Sequence, residues 1–295
     1  MNEESWQKKS LQHQKEYMMN NPNEKPPNEI IEVHKTSMPA MHIDAELQKM
    51  QGMGAENVSA KDVLIPRLTI LQKLSPQLAK KKAEYIDGAE LGDFCNVATG
   101  DVYKEAVLVI PCHFTTAYIE WGKNRSGLVA NHGDNASILK KTARGDKNQN
   151  ILPNGNVISE TAQWYCLLQD GASWTRIFIP LTSTNLKHSR KWMTLCRTES
   201  VQMPDGQLWK PPLFWRSWKL VAVEDSNDQG DWITFKPEKG ESVMDIDPSR
   251  QLLRMCMSFY EDVKGNIVRG EIVDDDSGRT INGTATSVDD KDIPF

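Results

Sequence analysis

"AVLVIPCHFTTAYIEW", Ala106–Trp121, decides how this chain folds. β-Branched and aromatic residues dominate the stretch, and no glycine or asparagine interrupts it, so it reads as one long strand. Pro111 removes a ladder donor and predicts a bulge or an edge position there. Strand signals continue on both sides. "GDFCNVATGDVYK" (Gly92–Lys104) reads as a hairpin around Thr99-Gly100-Asp101, and "TAQWYCLLQDGASWTRIFIPL" (Thr161–Leu181) as a second one turning at Asp170-Gly171. "PPLFWRSWKLVAVED" (Pro211–Asp225) and "GDWITFKPE" (Gly230–Glu238) add two more strands.

Two helices are expected among these strands. "TSTNLKHSRKWMTLCRTES" (Thr182–Ser200) opens on Thr and Ser and spaces Leu186, Trp192 and Leu195 near a helical period. "DPSRQLLRMCMSFYEDV" (Asp247–Val263) is amphipathic, with Pro248 near its first turn. Residues 122–158 are rich in Gly and Asn, with a short helix expected at Ala136–Ala143; an excursion of that length carries function or moves. The expected fold is mainly β: an OB-like antiparallel barrel with an internal and a C-terminal helix, though a sandwich also fits. Residues 1–55, with "NNPNEKPPNE", read as a disordered polar arm, 56–270 as the folded domain, and 271–295 as a disordered acidic tail.

Composition narrows the function classes. Of the 295 residues, 39% are hydrophobic and 25% charged, as in a globular chain diluted by polar segments. No apolar run reaches bilayer length and the start "MNEESWQKKS" is polar, so a cytoplasmic protein without membrane contact is expected. The five cysteines are scattered without a CxxC pair, which suits reduced, buried thiols. No nucleotide loop, nucleophile elbow or zinc-protease motif occurs, and the six histidines lack ligand spacing. The expectation is a non-enzyme without metal or cofactor. Asp247, ahead of Pro248, reads as a helix cap.

Net charge is −5, but residues 101–225 are net basic and 226–295 net acidic. Eight of the nine tryptophans fall between Trp121 and Trp232, often beside cations, as in "YIEWGKNR", "SWTRIF", "LKHSRKWMTLCR" and "LFWRSWK". Single-stranded nucleic acid asks for this pairing, because bases stack on aromatic faces while Lys and Arg follow the phosphates. The candidate single-stranded DNA contacts are Trp121, Lys123, Arg125, Arg176, Lys187, Arg190, Lys191, Trp192, Trp215, Arg216 and Trp218. The opposing interpretation places each tryptophan in the core with a neighbouring cation towards solvent.

The final residues, "DDKDIPF", resemble the acidic C-terminal tip of bacterial single-stranded DNA-binding proteins. Asp289, Asp290, Asp292, Ile293, Pro294 and Phe295 match that pattern, and Lys291 departs from it. The resemblance implies that host replication, repair and recombination proteins bind here, with the Phe295 ring and carboxylate as anchor. "VLIPRLTILQKLSPQL" and "IPLTSTNLKHSRKW" are similar to single-stranded DNA-binding or recombination-associated proteins of tailed bacteriophages. Together they imply a phage protein that coats single strands, with a homo-oligomer among the expected partners. A recombination mediator or annealing protein, and a decoy for host repair proteins that binds no DNA, are the alternatives.

Overall fold

The computed structural model describes residues 49–50, 53–54, 64–123, 126–145, 149–227, 230–265 and 270. The chain divides into Met1–Met53 and Gly54–Phe295, and the elements below belong to the second unit. Almost all of the expected N-terminal arm, the whole tail and Arg125 lie outside the described residues.

Three short strands, β1 (Leu68–Ile70), β2 (Phe94–Asn96) and β3 (Val102–Tyr103), form a small antiparallel sheet. The decisive stretch becomes β4 (Ala106–Trp121), followed by β5 (Leu128–Asn131), β6 (Ala143–Arg144), β7 (Asn150–Ile151), β8 (Val157–Asp170) and β9 (Ser173–Thr182). After helix α1 (Leu186–Thr198) comes a small hairpin, β10 (Val201–Gln202) and β11 (Leu208–Trp209). β12 (Arg216–Asn227) and β13 (Gly230–Ser242) follow, then α2 (Val243–Ile246) and α3 (Gln251–Lys264). The main sheet runs β13-β12-β4-β8-β9, antiparallel throughout, with β5 and β6–β7 at the far end of β4 and β8. It curls strongly into a half-barrel, so the fold is mainly β with a few helices.

The Pro111 bulge organises the sheet faces. The β4–β8 register shifts between Pro111 and His113, so the inward face changes from odd to even residues. Val107 and Val109 before the bulge, and Phe114 after it, therefore all pack with Trp164 and Cys166 on one face. α1 covers that face, with Trp192 stacked on Trp164 at 4.0 Å between ring centroids and the Trp164 indole N–H donating to Ser189 Oγ at 2.8 Å. Ile110, Cys112, Leu167 and Phe178 point the other way, onto Leu252, Cys256 and Phe259 of α3.

A half-barrel has two open edges, here β9 and β13. The entry segment around β1 lies between them. The Phe178 N–H of β9 donates to Pro66 O at 2.8 Å. At the other edge the Gln72 amide copies a strand partner: its Nε2 donates to Ile233 O at 2.8 Å and its Oε1 accepts from Ile233 N at 3.0 Å. One side chain thus satisfies backbone groups that an edge strand leaves bare.

The hairpins at Thr99-Gly100-Asp101 and Asp170-Gly171 form as expected, with Gly100 at φ +78 and Gly171 at φ +57. Three boundaries differ. Pro211–Trp215 is not strand: two prolines lead into a 3₁₀ turn at Leu213–Trp215, and β12 begins at Arg216. α1 starts at Leu186 because Ser183–Asn185 forms a 3₁₀ turn of its own. α3 starts at Gln251, and Asp247 caps it from upstream, accepting the Leu252 N–H at 2.7 Å. The 122–158 excursion folds back on the sheet, where Ile138 and Leu152 pack on Tyr118 and Ile158. The expected short helix there is a 3₁₀ turn, Ala136–Lys141. No helix among the described residues is long and apolar enough to cross a membrane.

Candidate nucleic-acid interface

α1 contains no acidic residue in "LKHSRKWMTLCRT". Leu186, Trp192, Met193, Leu195 and Cys196 turn to the sheet, which leaves Lys187, Arg190, Lys191 and Arg197 exposed on the outer side. Two of these cations also fix the helix. Lys187 Nζ lies 2.6 Å from Asp225 Oδ2 of β12, and Arg190 Nη2 lies 3.3 Å from Glu160 Oε1 of β8. His188 Nε2 adds a 2.8 Å contact to the same Asp225 oxygen. Lys187 and then His188 hold the Asp225 carboxyl down to about 2. Lys191 and Arg197 make no ion pair among the described residues, so a phosphate meets no competing acid there. Lys187 Nζ also lies 5.4 Å from the centre of the Trp232 ring.

The other candidate residues scatter. Trp192 and Trp218 are 0% and 1% exposed and Trp121 is 8% exposed, so protein already covers the faces on which a base would stack. These three follow the core interpretation. Trp121 and Lys123 sit at the far end of β4, where Trp121 packs with Ala117 and Ile119. Arg176 lies on the α3 side of the sheet, 2.8 Å from Asp262 and 5.0 Å from the Phe259 ring centre. Arg216 forks onto Glu199, Nε to Oε1 at 2.8 Å and Nη2 to Oε1 at 2.6 Å, and also bonds Gly240 O. That pair ties the end of α1 to the β12–β13 bulge. Trp215 is half-buried, with its ring edge-on to Trp209 at 5.1 Å.

Of the ten candidates among the described residues, the fold therefore groups Lys187, Arg190 and Lys191 on one exposed surface and separates the other seven. The model for Pam3 phage gp34-like proteins matches residues 33–269. This chain belongs to that family. No curated protein and no solved structure matches it.

In this gp34-like protein, sequence reasoning passed over two surface aromatics. Trp209 is 38% exposed at the β10–β11 hairpin beside exposed Leu208 and Met203. Trp232 is half-buried next to Lys187. Trp209 has Lys210 as its direct neighbour and so carries the aromatic–basic signal, whereas Trp232 stands between Asp231 and Ile233 with no adjacent cation. A second polar cluster, Glu120 with His132 Nε2 at 2.8 Å and the Asn156 amide, lies in the excursion. Burial opposes ionisation of Glu120, yet hydrogen bonds from Asn156, His132 and Asn154 outweigh it and hold the carboxyl below its usual range. It ties the loop to the sheet. Among the described residues no His, Cys, Asp and Glu group of three or more is placed to hold a metal ion.

Proposed function

We propose that this gp34-like protein binds single-stranded DNA along the outer side of α1, coating it during phage replication or recombination in the host cytoplasm without catalysing a reaction. In this reading Asp289, Asp290, Asp292, Ile293, Pro294 and Phe295 engage host DNA-processing proteins. The observation that carries the proposal is the acid-free helix. A solvated helix face ordinarily mixes both charges, whereas this helix carries only cations: Lys191 and Arg197 have no acid beside them, and Lys187 and Arg190 are shared with Asp225 and Glu160 of the sheet. The spacing of these cations along more than two turns suits successive phosphates of a flexible strand. Phage kinship supports the setting.

The test is titration with oligo(dT) at several salt concentrations, comparing the native chain with one carrying Arg190→Glu and Lys191→Glu. Losing two phosphate contacts should weaken binding and reduce the slope of log affinity against log salt by about 1.4. Unchanged affinity and slope would remove α1 from the interface.

A further inference from the structure

Two tryptophan pairs in this chain have opposite fates. Trp164 and Trp192 stack at 4.0 Å and are fully buried. Trp209 and Trp215 meet edge-on, with ring centroids 5.1 Å apart and planes at 85°, and Trp209 keeps 38% of its surface in solvent. An edge contact covers at most one face of a ring. Trp209 stands on the β10–β11 hairpin, which joins neither of the larger sheets among the described residues. Every residue from Gln202 to Lys210 is exposed. A hairpin of two short strands is marginal by itself, and Trp215, in the turn ahead of β12, is its aromatic contact with the body of the domain. Leu208 and Met203 are exposed on the same hairpin. Apolar residues gathered in this way mark a contact surface more often than single ones do.

The surroundings of the pair are cationic. Arg197 lies in the last turn of α1, two residues before Glu199. Glu199 Oε1 holds Arg216 Nη2 at 2.6 Å, and Arg216 directly follows Trp215. That ion pair makes the end of α1 and the Trp209–Trp215 pair neighbours. Lys239 of β13 reaches the same carboxylate oxygen, with its Nζ 3.9 Å away, so one acid answers two cations. Lys210 follows Trp209 and, like Arg197, makes no ion pair among the described residues. The acid of the hairpin, Asp205, is at its turn, where Oδ1 accepts the Gln207 N–H at 3.0 Å.

We infer that Trp209 stacks on a base of the bound strand where that strand leaves the C-terminal end of α1, an inference that rests on the proposed single-stranded DNA binding. The exposed indole asks for a flat ring, and Arg197, Lys210 and Lys239 ask for anions. A single strand carries both at neighbouring positions. A second copy of this chain fits less well, because an isologous contact at this patch would set the same cations against each other. The hairpin then extends the cation track of α1 with a stacking platform that the helix, whose own Trp192 is buried, does not offer.

The experiment uses the full chain with two probes, oligo(dT) and an abasic oligonucleotide of equal length, which offers phosphates without bases. Trp209→Ala should weaken oligo(dT) binding about tenfold and leave binding of the abasic strand as it was. The slope of log affinity against log salt should not change, since stacking releases no counterion. Trp209→Tyr retains a ring and should recover most of the affinity. Full oligo(dT) affinity in Trp209→Ala, or an equal loss on both probes, overturns the stacking and leaves DNA binding by α1 standing. A native chain that self-associates and becomes monomeric on Trp209→Ala, with oligo(dT) affinity kept, overturns it in favour of a second copy. If the native chain binds no oligo(dT), the stacking and the proposed function both fall.

Discussion

Arg216 shows how a residue's neighbours reassign it. In the sequence it sits between two tryptophans and reads as a phosphate ligand. In the fold its guanidinium forks onto Glu199, whose side chain is only 9% exposed. Truncating one partner of such a pair strands the other charge in a poorly solvated place. Arg216→Ala should therefore lower stability by about 3 kcal/mol in urea unfolding, and Arg216→Lys should recover only part of it, because an ammonium cannot make the fork. Unchanged stability with weakened DNA binding would return Arg216 to the interface. Asp225 gives a pH signature. Its carboxyl titrates near 3.8 when unpaired and is held to about 2 by Lys187 and His188. A depressed folded value means that its contribution is present above about pH 3.8 and is lost as the pH falls through about 2. Asp225→Asn should remove that contribution at neutral pH and flatten the urea midpoint between those limits. An acid limb identical to the native one would show that the pair does not stabilise the fold.

At the scale of elements, closure of the half-barrel depends on a side chain acting as a strand. Gln72 meets both backbone groups of Ile233, so Gln72→Leu keeps the bulk while leaving two polar groups of the β13 edge without partners. A loss of about 2 kcal/mol is expected, with faster hydrogen exchange at the Ile233 amide. Exchange at Ile233 equal to the native rate would mean that the edge is held by other contacts. The strands themselves were legible because β4, β8 and β9 are long and β-branched, and because Gly100 marks the β2–β3 turn and Gly171 the β8–β9 turn at positive φ. Pro111 announced a bulge or an edge position for the same local reason, and the register shift shows a bulge. Element starts were less legible. Whether Pro211–Trp215 extends as strand or winds into a 3₁₀ turn is decided by what Phe214 packs against, namely the α3 face of the sheet.

For the whole molecule, one surface carries the basic helix and another end of the chain carries the acidic residues. If the proposed division of labour holds, Phe295→Ala should leave oligo(dT) binding unchanged while abolishing capture of host proteins that recognise such tips. Removing an aromatic anchor from a small interface costs about 2 kcal/mol or more, which takes a micromolar contact beyond practical detection. Equal capture by both chains would separate "DDKDIPF" from partner binding.

The sequence by itself determined the strand-rich class, the main hairpins, the Asp247 cap and the cation-rich composition of α1, because each is written in neighbouring residues; at Pro111 it left a bulge or an edge position open, and the register of β4 on β8 decided for the bulge. Only the tertiary structure decided which tryptophans face solvent. Trp192 and Trp218 have the same cationic neighbours as an exposed stacking residue, yet they fill the space under α1. Strand alternation offers two faces, and the face that becomes core depends on elements distant in the chain. The same holds for the contacts of β9 and β13 with the entry segment. These arise where segments more than a hundred residues apart meet, and no local pattern encodes that distance.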